Sequence, residues 1–227
     1  MNFSVVLARK NSKRIKNKNI KNFCGKPLIN WPINTLLNSK LFNRVYISTD
    51  SKKIENISKK YGAQSLGLRN KRLSNNFADT ITVVKDFIKK SKLQRDDFLC
   101  CVYGSSPFFS IKDLKKAFLL LDKKTDFVFM AKEIHNESLR SFYISKSKDK
   151  KIVLTSKKFI NYRSQDLPSL LLDIGQFYLG SVKTWLESEN IFTNNSKVLI
   201  NNSYIDINTT DDFKKAEFFF KKKFKKS

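Results

Sequence analysis

Short, nearly uninterrupted apolar runs rich in β-branched and aromatic residues recur along the first two thirds of the chain, each followed by a stretch whose apolar positions repeat at helical spacing. This alternation constrains the fold most. A strand that is apolar at consecutive positions has to be covered on both faces, and helices between such strands supply the crossovers that parallel pairing needs, so the pattern specifies an α/β fold with a mostly parallel sheet flanked by helices. Residues 3–8, 44–48, 98–103 and 127–131 are the predicted strands. Helices are predicted over 27–39, 51–61, 80–90 and 111–121, the second capped by Asp50 and stopped at Gly62, the fourth preceded by Ser110.

Beyond Ala131 the pattern changes to short β-like pieces at 141–145, 152–155 and 176–180, separated by charged turns around Lys148-Asp149-Lys150. We read a small β-rich insertion, at about 132–168, in a single domain spanning 1–227. A strand near 197–200 and a helix over 211–220 close the fold, and the basic tail 221–227 is expected to fray.

Charge narrows the function classes only partly. The chain carries 45 Lys+Arg against 20 Asp+Glu, a net +25 that would suit nucleic acid, an anionic membrane or a polyanionic small molecule. Lysines such as Lys112, Lys115 and Lys116 fall on outer helix faces, however, as a composition-wide bias would place them. A basic nucleic-acid-binding module needs its charge on one face with interleaved aromatics, and only the tail around Phe224 offers that, so neither nucleic acid nor membrane is expected as a partner. Cys24, Cys100 and Cys101 have neither disulfide-framework nor metal-site spacing, and the opening apolar run is too short for a signal peptide or a span. A reduced, cytoplasmic setting is expected.

The sharpest local feature follows the first strand: Ala8-Arg9-Lys10-Asn11-Ser12-Lys13-Arg14, then Lys16, Lys18 and Asn19. Ligands of α/β sheets bind beyond the carboxyl ends of the strands, and cations with free backbone N–H groups are what a triphosphate requires. The run lacks the Gly-x-x-x-x-Gly-Lys-Ser/Thr pattern. On spacing alone, a triphosphate site and a merely basic surface loop stand level.

Further segments resemble a family. Leu7 to Arg14 with Lys18-Asn19-Ile20, Gly25-Lys26-Pro27-Leu28, Ser48-Thr49-Asp50, Leu68-Arg69, Leu73-Ser74 and Ser105-Ser106-Pro107 are similar, in order, to the signatures of bacterial cytidylyltransferases that activate nonulosonic acids. Leu7 stands where many members have Pro, and Lys10-Asn11 where they have glycines. Asn161-Tyr162-Arg163-Ser164-Gln165-Asp166-Leu167 and Asp173-Ile174-Gly175-Gln176-Phe177-Tyr178 resemble the branch that acts on pseudaminic acid rather than the sialic acid branch.

The resemblance implies a Rossmann-like nucleotidyltransferase fold, with the β-rich insertion serving dimerisation in a homodimer. It also implies transfer of CMP from CTP to the anomeric hydroxyl of pseudaminic acid, releasing pyrophosphate, for surface or flagellar glycosylation; sialic or legionaminic acid is the alternative sugar. Arg9, Ser12, Lys13 and Lys18 would then hold phosphates, and Ala8, Asn19, Arg69, Ala78 and Thr80 would line the nucleotide pocket. Tyr103, Arg163, Gln165 and Gln176 would face the sugar, with Tyr103 where sialic acid enzymes tend to have Gln. Asp206-Ile207-Asn208 is similar to the family's Asp-Ile-Asp metal motif, so Asp206 and Asn208 would hold Mg²⁺, and Arg9, Lys18 and Asp206 would carry the catalysis. Alternate residues of an extended segment do point one way, and an amide oxygen ligates a hard cation, though without charge. Asp173 reads equally well as a turn residue, Phe177 as core, and the lone His135 as structural, there being no partner for it at motif spacing.

Overall fold

The computed structural model describes residues 1–10, 12, 14–74 and 78–224. In chain order the elements are β1 (Asn2–Leu7), a hairpin of β2 (Asn22–Phe23) and β3 (Lys26–Pro27), α1 (Asn30–Ser39), β4 (Arg44–Ser48), α2 (Lys52–Lys60), β5 (Gln64–Ser65), α3 (Thr80–Lys90), β6 (Phe98–Tyr103), α4 (Ile111–Leu120) and β7 (Phe127–Ile134). A second hairpin follows, β8 (Phe142–Ile144) and β9 (Ile152–Leu154), then β10 (Leu170–Ser181), α5 (Val182–Glu187), β11 (Lys197–Ile200) and α6 (Thr210–Phe224).

Seven of these strands form one sheet in the order β11-β7-β10-β6-β1-β4-β5. Pairing is parallel throughout except at β10, which runs antiparallel to both β6 and β7. Because successive side chains of a strand face opposite sides, Val6 joins one core with Ile33, Leu36, Val102 and Leu114, while Phe3, Val5 and Leu7 join the other with Val84, Phe87, Leu99 and Trp185. Both faces are thus covered, as the continuous apolar runs require. A third cluster, with Ile15, Phe23, Leu28, Phe108, Phe213 and Phe220, docks α6 against the segment that follows β1.

Several expected boundaries move, each for a local reason. The first helix starts at Asn30 rather than residue 27, because Pro27 is paired with Asn22 in the β2–β3 hairpin, turned by Gly25 at φ +90°. Pro32 then falls in the first turn, where no intrahelical N–H is needed. The cap of α2 is Ser51, whose side chain accepts from Ile54 N, and not Asp50. The 176–180 piece is part of a twelve-residue strand deep in the sheet, separate from the β8–β9 hairpin. Of the tail expected to fray, residues 221–224 are helical, α6 continuing to Phe224 and anchored through Phe213, Ala216 and Phe220, and 225–227 lie outside the described residues.

Candidate functional site

The segment after β1 is held by backbone-directed contacts on three sides. Ala8 N donates to Ser48 O at the end of β4, and Lys10 N donates to Asp50 Oδ1 at 2.7 Å. The Asn19 amide donates to Arg9 O at 3.1 Å, while Asn19 O accepts from Ile29 N at the start of α1. Gly104, just past β6, seals the packing: a Cβ there would stand 3.1 Å from Ala8 Cβ and 3.2 Å from Asn19 Oδ1. A further contact reaches across the chain, Lys18 Nζ donating to Ile207 O at 3.0 Å, which joins this loop to the chain entering α6.

Above the loop lies a cavity of about 660 Å³, lined among others by Arg9, Ser12, Arg14, Lys18, Asn19, Arg69, Ala78, Thr80 and Tyr103. A second cavity of about 340 Å³ adjoins it, sharing Arg14, Lys18, Tyr103 and Ser105 and adding Asp173, Gly175, Gln176, Tyr178, Asp206 and Asn208. The electrostatics suit an anion. Burial lowers the Lys18 pKa, the Arg14 and Arg9 charges lower it further, and Asp206 opposes them. Burial likewise lowers that of Arg69, with Asp50 the largest opposing charge. Arg69 is anchored by its Nε to Ser74 Oγ at 3.1 Å and by its backbone N to Thr49 O.

The wall between the cavities is built by a bulge in β10. Its register on β7 shifts between Asp173 and Tyr178, and such bulges redirect side chains beside sites. Gly175 sits in the left-handed region at φ +58° with the Tyr103 ring 3.3 Å from where its Cβ would be. Asp173 Oδ1 accepts from Gly175 N, and Ser106 Oγ donates to Gly175 O at 2.7 Å. Burial pushes the Tyr103 hydroxyl up to about 12 and that of Tyr178 higher still, so both remain protonated hydrogen-bonding groups at neutral pH.

The structure brings together most, not all, of the expected site residues. Ala8 is in the core with its side chain against Gly104 and is absent from the cavity lining. Lys13 lies outside the described residues. Gln176 reaches the second cavity, but its amide is buried and committed, Oε1 accepting from Phe108 N at 2.9 Å and Nε2 donating to Ile174 O at 3.1 Å, so it fixes the 106–108 segment. Arg163 and Gln165 are exposed and line neither cavity of their own chain, Arg163 Nε pairing with Asp166 at 2.8 Å. Arg14, Ser105 and Tyr204 line the cavities without having been assigned roles; Arg14 was signalled by its place in the cationic run. Phe177 is core, and Asp173 lies in β10, where it accepts from Gly175 N and Tyr178 OH and lines the second cavity.

Asp206 and Asn208 lie side by side at the second cavity, the Asn208 amide donating to Asp206 Oδ2. Turning that amide over would face two oxygens toward each other, an arrangement that a cation stabilises, so the pair fits a divalent metal. Among the described residues no group of three or more His, Cys, Asp or Glu could hold a metal ion, so the pair would need further oxygen ligands. The backbone turn into α6 is made by Asp212, which accepts from Asn208 N and Thr209 N.

This architecture is matched over 97% of the chain, at TM-score 0.72 and 13% identity, by a CMP:2-keto-3-deoxy-manno-octonic acid synthetase solved with CTP, 98% of which is covered. The pseudaminic acid cytidylyltransferase of Campylobacter jejuni subsp. jejuni serotype O:2 is 36% identical over 97% of this chain and 96% of its own length. A Helicobacter pylori protein named as both pseudaminic acid cytidylyltransferase and UDP-2,4-diacetamido-2,4,6-trideoxy-beta-L-altropyranose hydrolase is 40% identical over 86% of this chain, which spans 38% of that longer relative. A family model described as cytidylyltransferase matches residues 3–223, and the chain belongs to the cytidylyltransferase family.

Proposed function

We propose that the chain transfers CMP from CTP to the anomeric hydroxyl of pseudaminic acid, releasing pyrophosphate. The observation that carries this is the junction of the two cavities: a cationic one of triphosphate size meets a smaller polar one, and Arg14, Lys18 and Tyr103 belong to both. Full-length likeness to proteins named for that sugar supports the choice.

Arg9, Ser12, Arg14 and Lys18 hold the phosphates, and catalysis is positioning with charge neutralisation as the sugar oxygen attacks the α-phosphorus. Asn19, Arg69, Ala78 and Thr80 line the nucleoside end. Asp206 and Asn208 would hold Mg²⁺, which when bound supplies neutralising charge to the phosphates. The Lys18–Ile207 hydrogen bond ties the phosphate loop to the segment that carries that pair.

Tyr103 faces the sugar from its own chain, whereas Arg163 and Gln165 would face that of a second copy. The β8–β9 hairpin presents Phe142, Tyr143, Ile144 and Ile152 to solvent, an apolar surface too small to form its own core, and a homodimer covers it. Three buried cysteines, none of them in a disulfide, suit a reducing cytoplasm, and no helix among the described residues is long and apolar enough to cross a membrane.

The test is pyrophosphate release with a panel of nonulosonic acids against all four nucleotides. Turnover confined to CTP and highest with pseudaminic acid supports the reading; higher turnover with sialic or legionaminic acid would move the substrate to that branch.

A further inference from the structure

The chain leaves β6 through a tight turn that is pinned to β1, to β10 and to the segment after β11. Ser106 N donates to Tyr103 O at 3.1 Å and closes the turn, with Gly104 and Ser105 at its corner. Gly104 N donates to Leu7 O at 2.9 Å, and a side chain at that position would press on Ala8, Asn19 and Ile29. Ser106 Oγ donates to Gly175 O at 2.7 Å. Two residues on, Phe108 N donates to Gln176 Oε1 at 2.9 Å, and Phe108 O accepts from Asn201 Nδ2 at 3.3 Å. Ser105 is the exception. It is half-buried and lines both cavities, yet among the described residues no group hydrogen-bonds its hydroxyl.

Its neighbours at the junction differ from it chemically. Arg14 and Lys18, which also line both cavities, can only donate. Tyr103, common to both as well, has its hydroxyl 2.5 Å from Thr80 Oγ1. In the smaller cavity Asp173 already accepts from Gly175 N and Tyr178 OH, and the Gln176 amide is committed at both ends. Asp206, beside Asn208, lines the smaller cavity and not the larger. The Ser105 hydroxyl thus offers the junction lone pairs together with one proton to give. An attacking hydroxyl can aim a lone pair at phosphorus only while its own proton is held elsewhere, so it needs an acceptor beside the phosphate, fixed in place.

We propose that Ser105 is a catalytic residue of the transfer, its hydroxyl accepting a hydrogen bond from the attacking hydroxyl of the sugar and donating one to an α-phosphate oxygen. Ser105 aligns the two reactants and takes no proton itself. The pinned turn supplies the precision, since every contact that fixes its position is made by its neighbours and leaves its side chain open. This rests on the transfer reading of the two cavities.

The experiment compares steady-state turnover, with CTP and the preferred sugar of the nonulosonic acid panel, with calorimetric binding of CTP alone. Ser105→Ala removes one oxygen and no internal hydrogen bond, so its melting temperature and its Kd for CTP should stay those of wild type. Its kcat should fall about 10- to 100-fold through lost alignment. Ser105→Thr keeps the hydroxyl and should turn over faster than Ser105→Ala. Near wild-type kcat in Ser105→Ala, a fall in rate matched by an equal loss of CTP affinity, or equal rates in the two variants would overturn the proposal while leaving the transfer standing. A wild type that turns over CTP with no nonulosonic acid would overturn the functional reading together with the proposal.

Discussion

Lys18 is the residue on which the site's parts converge. Its Nζ meets the carbonyl of Ile207, its charge is crowded by Arg14 and Arg9, and the Asp206 carboxylate opposes them. Burial and like charge lower its pKa below the ordinary lysine value of 10.5, so the folded protein binds that proton less tightly than the unfolded chain does. Stability from this group therefore rises as pH climbs through the folded pKa, and a bound triphosphate reverses the effect by restoring the proton. CTP binding at alkaline pH should accordingly take up protons, seen as a dependence of binding heat on buffer ionisation enthalpy that vanishes in Lys18→Met; an unchanged dependence would count against the assignment. Lys18→Ala and Arg9→Ala should each lose roughly 2–4 kcal/mol of transition-state stabilisation with the fold retained, and near wild-type turnover in either contradicts the phosphate role. At Asn208 the departure from two carboxylates is itself informative. Asn208→Asp should lower the Mg²⁺ concentration for half-maximal rate and tighten Mn²⁺ binding measured directly, while Asp206→Ala should nearly abolish turnover. An unmoved metal titration in Asn208→Asp would remove that residue from the metal site.

At the scale of elements, the parallel strands were legible because burial on both faces leaves a continuous apolar run, and β4 and β6 match their expected bounds. The strand β10 was legible only at its apolar end. Its bulge places Asp173, Gly175 and Gln176 inside the sheet, where alternation is interrupted by groups that serve the cavity wall. Helix α6 was legible as far as Phe220, with Phe213, Ala216 and Phe220 at helical spacing, whereas Lys221-Lys222-Lys223-Phe224 reads as tail because its run of lysines carries no apolar period. The phosphate loop could be seen as a cluster of cations, but the exposed placement of Arg163 depends on tertiary contacts that no local pattern carries. Asp50 shows the same limit, since its neighbour Ser51 takes the cap and frees it to hold Lys10 N and to balance Arg69. Asp50→Ala should therefore raise the KM for CTP about tenfold while losing only about 1 kcal/mol of stability. A large fall in melting temperature with KM unchanged would return Asp50 to a purely structural role.

For the whole molecule, the sheet sets the larger cavity, and the third core cluster, through Ile207, brings Asp206 and Asn208 to the smaller one from the other end of the chain. The one part of the expected sugar site that stays outside is Arg163 and Gln165, beside an exposed apolar hairpin. A dimer that completes each site with its partner's segment explains both facts. Sedimentation at micromolar concentration should give a dimer, and Ile144→Asp should give a monomer with a raised KM for sugar; a wild-type monomer at full activity would contradict this. The transfer itself is tested most directly by isotope. With pseudaminic acid carrying ¹⁸O at its anomeric oxygen, attack on the α-phosphorus predicts that the label appears in the bridge between sugar and phosphate of CMP-pseudaminic acid, and not in the released pyrophosphate. Label lost to water, or CTP consumed without a sugar phosphodiester, would contradict it.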